Sequence, residues 1–279
     1  MCSRRIHRAN SDDGTEIAGR VHGDGPPLVL FHGAPHDAHL AWEALVPHLA
    51  DRFTCYLPDQ RGRGLSGDSD DHSPPRLEED AVAFVDSIGQ SVIVVGWSYG
   101  VFATLAAAAN SDAVTAAALY EPTIIIPVMR EDDLADLFAM LELLGAAVAE
   151  HRLADAARVF HTWIANDDEV AALDSDYFER SGTAFPPMTR TVAAAQAYDG
   201  ARSTDPGAMA QITVPVLLLR GQHTRLASFY ADTQTYIAEH LADPHTRELP
   251  GLGHFAPTAA PGPVADALIS FSESVQRPT

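Results

Sequence analysis

The chain has 279 residues, 46% hydrophobic and 20% charged, which is enough apolar mass for a substantial core and too much for a disordered polymer. Its 38 Asp and Glu against 18 Lys and Arg give a formal net charge of -20, arguing against nucleic-acid and anionic-membrane partners, both of which need a basic surface. The two cysteines, Cys2 and Cys55, fit neither a disulfide framework nor a cysteine-based metal site.

Met1-Cys2-Ser3-Arg4-Arg5-Ile6-His7 is basic with no apolar stretch behind it, and no run reaches the roughly eighteen apolar residues of a spanning helix. A soluble, cytoplasmic protein is the expectation. Pro27 to Phe31 is a short apolar run ending at His32-Gly33, the profile of a buried strand. Trp42, Leu45, Val46 and Leu49 recur at helical spacing, Phe53 to Leu57 reads as a strand, and Leu77, Ala81, Phe84, Val85 and Ile88 mark a one-sided helix. Ser91 to Gly96 is the clearest strand, followed by an alanine-rich helix over Tyr99 to Ala109 and a strand over Thr115 to Tyr120. This alternation implies a mostly parallel sheet covered on both faces.

Between Thr123 and Ala210 the strand rhythm stops. Leu134, Leu137, Phe138, Leu141 and Leu144 form one helical stripe, Leu153, Phe160 and Ile164 another, and Met188 to Tyr198 a third helix. Val214 to Leu219 resumes the strand pattern, followed by a helix near Phe229 to Leu241, a strand near Thr246 to Leu249, a helix through Val264, Leu268 and Phe271, and a short tail. The expected organisation is a core (residues 1–122 and 211–279) interrupted by a helical cap (residues 123–210).

Two patterns are decoys. Gly62-Arg63-Gly64-Leu65-Ser66-Gly67 matches a dinucleotide fingerprint, but it leads into the acidic turn Asp68 to Asp71 and Pro74-Pro75 instead of opening a helix for a pyrophosphate. His32, His36 and His39 lack a recognised ligand spacing and read as one turn histidine and two partly exposed ones. No metal or cofactor is therefore assigned.

Gly96-Trp97-Ser98-Tyr99-Gly100 carries the chemistry. A strand-to-helix turn this sharp strains its central residue, and flanking glycines relieve the crowding, which lifts the Ser98 oxygen above the sheet end as a nucleophile. Gly251-Leu252-Gly253-His254 follows the last strand, so His254 is placed at the same sheet edge as a base. The Tyr99 and Ala34 amides are the expected oxyanion hole, with His32 bracing the Ala34 turn.

His32-Gly33-Ala34-Pro35, Asp59-Gln60-Arg61-Gly62-Arg63-Gly64-Leu65-Ser66, Gly96-Trp97-Ser98-Tyr99-Gly100 and Gly251-Leu252-Gly253-His254 occur in the order found in the α/β-hydrolase superfamily. The chain resembles its lid-bearing esterase, haloperoxidase-like and C-C hydrolase branch over nearly its whole length. The resemblance implies the α/β-hydrolase fold, a doubly wound, mostly parallel sheet with a helical cap after the sixth strand, and catalysis without a cofactor. Related dehalogenases and epoxide hydrolases carry aspartate where this chain has Ser98; serine suits acyl transfer instead. Members most often place the triad acid where this chain has Thr224. The family's other solution is a carboxylate after the sixth strand, which falls on Glu121. Asp59 reads as a loop-bracing ion pair with Arg61.

Trp97, Ile124, Ile125, Phe160 and Trp163 are the candidates for an apolar substrate pocket, each with core packing as the competing role. The leading reading is a serine hydrolase acting on a small to medium, mostly apolar ester, lactone or thioester. C-C bond hydrolysis or non-hydrolytic tailoring chemistry is the runner-up, and a small-molecule binding protein with little turnover is the reading from another class.

Overall fold

The computed structural model describes residues 5–275; Cys2 and residues 276–279 of the expected tail lie outside it. Its strands are β1 (Arg5–Asn10), β2 (Glu16–His22), β3 (Pro27–Phe31), β4 (Thr54–Pro58), β5 (Val92–Trp97), β6 (Val114–Tyr120), β7 (Val216–Gly221) and β8 (Pro244–Leu249). They form an 8-stranded sheet in the order β1-β2-β4-β3-β5-β6-β7-β8. From β4 to β8 every pairing is parallel, whereas β1 and β2 add an antiparallel edge that the apolar pattern does not reveal.

Strand periodicity divides the interior into two layers. Leu28, Leu30, Ile93, Val95, Trp97, Ala118, Tyr120 and Leu219 enter one cluster, while Val29, Phe31, Val92, Val94, Ala117, Leu119 and Leu218 enter the other. Helices α1 (Ala38–Trp42) and α2 (Val46–Leu49) cover the first face, and α3 (Pro74–Ser87) and α4 (Val101–Asn110) the second.

The insert between β6 and β7 contains α5 (Glu131–Ala149), α6 (Leu153–Ile164), α7 (Asp167–Ala171), α8 (Tyr177–Gly182) and α9 (Phe185–Ala197), and α10 (Pro206–Met209) then packs on the core. The chain ends with α11 (Ala227–His240), α12 (Ala256–Ala259) and α13 (Pro261–Val275). Leu137, Met140 and Leu144 are the buried stripe of α5, and Phe138 is 53% exposed: one residue past Leu137, it has rotated off the inward face.

The cap is clasped to the core by polar side chains. Arg190 and His72 both bond Asp68, at 2.7 and 3.0 Å, and His72 also meets Thr191, so the acidic turn is tied to α9 and not simply solvated. His36 bonds the Tyr177 hydroxyl at 2.6 Å, and Ser181 donates to Pro35 O at 2.8 Å. His36 is 1% exposed, correcting the expectation of a partly exposed histidine; it stacks on Trp97 and meets His161 of α6 edge-on.

The expected Asp59–Arg61 pair does not form. Arg61 turns to Asp80 in a bidentate bond and to Asp13, while the Asp59 carboxylate accepts the Ala38 and Leu65 amides at 2.7 and 2.8 Å. Each side chain is held by its own buried partners instead. Burial pushes the Asp59 carboxyl up to about 6.

Asp59→Ala strands two buried amides and is expected to cost about 2–4 kcal/mol in denaturant unfolding, with Asp59→Asn costing less. A second prediction concerns pH. Burial holds His36 well below its ordinary value of 6.5 and pushes His161 down to about 4, so both fold neutral but take up protons when unfolded. Their contribution is whole above pH 6.5 and drains as pH falls towards 4, by up to about 1.4 kcal/mol per pH unit for each ring. His161→Phe is expected to lose less stability than wild type between about pH 7.5 and about pH 5.5. Equal losses contradict this.

Candidate active site

β5 ends in the predicted elbow. Ser98 has φ 55°, a left-handed backbone that a residue with a Cβ adopts only when its surroundings force it. The forcing is local. A Cβ at Gly96 would strike Thr104 and Gly100, and one at Gly100 would strike the Phe31 carbonyl, so both flanks require glycine. Ser98–Gly100 forms a short 3-10 turn, and α4 starts at Val101 instead of at Tyr99.

β3 pairs with β5 in a register that sets Phe31 beside Gly96, which brings the Ala34 and Tyr99 turns to adjacent strand ends. A Cβ on Gly33 would lie 3.3 Å from Ser98 Cβ, a measure of how closely the first turn approaches the serine. His32 bonds Gly33 O through Nδ1 and accepts the Gln60 amide at Nε2, and the buried Arg63 donates to Ala34 O at 2.7 Å. Arg63 is thus the guanidinium that holds the Ala34 loop, a role the sequence pattern did not separate from that of Arg61.

Glu121 follows β6 with φ 42°, the second left-handed side-chain residue at the sheet edge. Its amide continues the ladder to Leu219 O, and its carboxylate turns inward. Oε1 accepts the Gly221 amide at 2.8 Å; Oε2 accepts the Thr224 hydroxyl at 3.0 Å and His254 Nδ1 at 2.8 Å. Glu121 and His254 are 1% and 2% exposed. A proton on Nδ1 directed at a carboxylate leaves Nε2 as the basic nitrogen.

Ser98 is 5% exposed, and its Oγ lies 3.1 Å from Thr123 Oγ1. His254 Nε2 has the Tyr230 hydroxyl at 3.5 Å, with the two rings stacked at 4.9 Å. The structure therefore brings His254 and Glu121 into contact, while the serine hydroxyl rests on Thr123. Thr123 and Tyr230 escaped the sequence reading: Tyr230 looks like any buried aromatic of an amphipathic helix, whereas nearness to Glu121 was an available signal for Thr123.

The pocket candidates are placed unevenly. Trp97 is buried between Trp42, His36 and Phe255, and its indole donates to His254 O at 2.9 Å, which makes it a support beneath the site. Ile124 lies in the opposite core layer with α4. Ile125, Phe160 and Trp163 pack in the layer shared by sheet and cap. An open cleft of about 570 Å³ runs beside the histidine loop, lined by Asn166, Asp168, His223, Gly251 and Ala256, but Ser98 does not border it. Among the described residues no group of three potential ligands is placed to hold a metal ion, and His32, His36 and His39 have separate partners. No described helix is long and apolar enough to cross a membrane.

A model of the alpha/beta hydrolase family matches residues 28–267. The chain is 28% identical to a 2-(acetamidomethylene)succinate hydrolase from Mesorhizobium japonicum, over 91% of each protein. Among solved structures it is similar to an alpha/beta hydrolase from Sphaerobacter thermophilus, with 27% identity, a TM-score of 0.72, and coverage of 95% of this chain and 100% of that one. An esterase from a Rhodococcus species shares the fold, with a TM-score of 0.74 at 23% identity and coverage of 97% and 99%. With the elbow, the histidine–acid pair and the capped parallel sheet in place, this chain belongs to the alpha/beta hydrolase family and carries a site of the serine-hydrolase type.

Proposed function

We propose that the chain hydrolyses small to medium, mostly apolar carboxylic esters, lactones or thioesters through an acyl-enzyme on Ser98. The supporting observation is the 2.8 Å bond between His254 Nδ1 and Glu121, buried beside a serine held at positive φ. The serine hydroxyl leaves Thr123, meets His254 Nε2 and passes its proton there as Oγ attacks the acyl carbon. The Ala34 and Tyr99 amides take the resulting oxyanion. Collapse breaks the acyl–leaving-group bond, and the imidazolium returns the proton to the departing oxygen or sulfur. Water then adds to the acyl-enzyme with His254 again as base, releasing the acid and restoring Ser98.

Glu121 takes the part of the orienting acid, holding the tautomer and stabilising the imidazolium. Thr224, at the position the family most often gives to the acid, serves through its hydroxyl as a support for Glu121. A second reading, hydrolysis of a small acetamido compound, draws on the full-length likeness to the Mesorhizobium enzyme. An acyl-enzyme at Ser98 serves either bond, so a substrate panel with matched esters and amides separates the two.

Kinetics on such a panel are expected to rank the variants. Ser98→Ala falls by about 10⁶ to background, Glu121→Gln by about 10⁴, and Thr224→Ala, which loses one hydrogen bond to a charged acceptor, by about 10- to 100-fold. Unchanged rates in Ser98→Ala, or a larger loss in Thr224→Ala than in Glu121→Gln, contradict the assignment.

A further inference from the structure

The turn that carries His254 owes its position to groups from elsewhere. Leu252 O accepts the His223 amide at 2.7 Å, Gly253 O the Tyr120 hydroxyl at 2.6 Å, and His254 O the Trp97 indole at 2.9 Å. Those three donors sit at or just beyond the ends of β7, β6 and β5, and they belong to the core. The remaining partner comes from the cap. Glu169, on α7, accepts the Phe255 amide at Oε1 over 2.7 Å.

Glu169 is itself locked in place. Its Oε2 accepts the Asn166 amide, and Asn166 Oδ1 accepts the Glu169 amide, a reciprocal capping box at the start of α7. The Asn166 side chain also donates to His223 O at 2.9 Å, so the same two residues hold both loops at this edge of the site. Gly253 makes the approach possible: a Cβ there would lie 2.6 Å from both the Glu169 carboxyl carbon and Asn166 Nδ2. Glu169 is 7% exposed, and burial pushes its carboxyl above the usual range, while the Asn166 amide and the charge of His254 draw it back towards the ionised form.

We infer that Glu169 is a positioning residue for His254: a second acid, carried by the cap, that fixes the histidine loop through the Phe255 amide and adds negative charge beside the imidazolium. This rests on the hydrolase reading given above. Ser98 and His254 are 5% and 2% exposed beneath the cap. Movement of α7 withdraws Glu169 from the loop, and reseating restores it. The brace on the histidine loop is therefore complete only while α7 is seated over it.

The test compares Glu169→Gln, which keeps an acceptor for Phe255 but loses the charge, with Glu169→Ala, which loses both. Asp168→Asn removes an exposed charge from the same helix as a control. Two readouts are taken: hydrogen exchange at the Phe255 amide, and the rate of Ser98 labelling by a fluorophosphonate as a function of pH. Glu169→Ala is expected to lose Phe255 protection and to label about 10²-fold more slowly. Glu169→Gln is expected to keep the protection, label more slowly, and show an acid limb moved to lower pH, because the protonated base has lost a stabilising charge. Gly253→Ala, which displaces the carboxylate without removing it, is expected to lose protection even if Glu169→Ala does not fold. Wild-type profiles in both Glu169 variants, or unchanged Phe255 exchange in Glu169→Ala and Gly253→Ala, overturn the inference. Failure of the wild type to label at Ser98 overturns the hydrolase reading instead, while the exchange arm still reads the brace.

Discussion

One buried carboxylate organises this edge of the molecule. Glu121 leaves β6 in a left-handed conformation and receives hydrogen bonds from Gly221, Thr224 and His254. A carboxylate taken this far out of water is tolerated only when its oxygens are satisfied, and removing one partner of such a pair costs several kcal/mol. The donors come from the end of β7, the loop beyond it and the final loop of the core, so satisfying Glu121 also fixes the relative positions of all three. The His254 imidazole is thereby aimed by the same contacts that satisfy the carboxylate.

The opposite side of the site is held by an analogous device. Asp59 pins the amides of Ala38 and Leu65, and Arg63 pins the carbonyl of Ala34, so a buried acid and a buried base fix the loops on either side of the proposed oxyanion hole. The left-handed backbone at Ser98 and Glu121 is sustained by this packing, where parallel strands end. Over these strand ends lies the cap, whose His36–Tyr177, Arg190–Asp68 and Glu169–Phe255 contacts are polar.

Much of this was legible before any coordinates. β3, β5, β6 and β7 are buried on both faces, and sequence runs such as Val92 to Val95 announce that directly. β1 and β2 were not legible, because an antiparallel edge rich in charged residues has no apolar run to mark it. Ser98, His254 and Glu121 could be nominated from their places after strands. The roles of Thr123, Tyr230 and Glu169 depend on side chains that meet only in three dimensions. The supposed Asp59–Arg61 pair failed for the same reason: Asp80, Asp13 and the Ala38 and Leu65 amides that claim the two side chains come from elsewhere in the fold. The cap helices were recognisable from their stripes, but the short α7 and α8 were not, and α7 carries the residue that reaches the histidine loop.

The central claim is that Glu121, standing after the sixth strand, is the acid that orients His254. One-dimensional proton NMR tests it directly, because a proton shared between His254 Nδ1 and a buried carboxylate resonates far downfield of the amide region. The account predicts such a resonance in the wild type, its disappearance in Glu121→Ala and His254→Asn, and its persistence in Thr224→Val. A resonance that survives Glu121→Ala, or one that is lost only with Thr224, contradicts it.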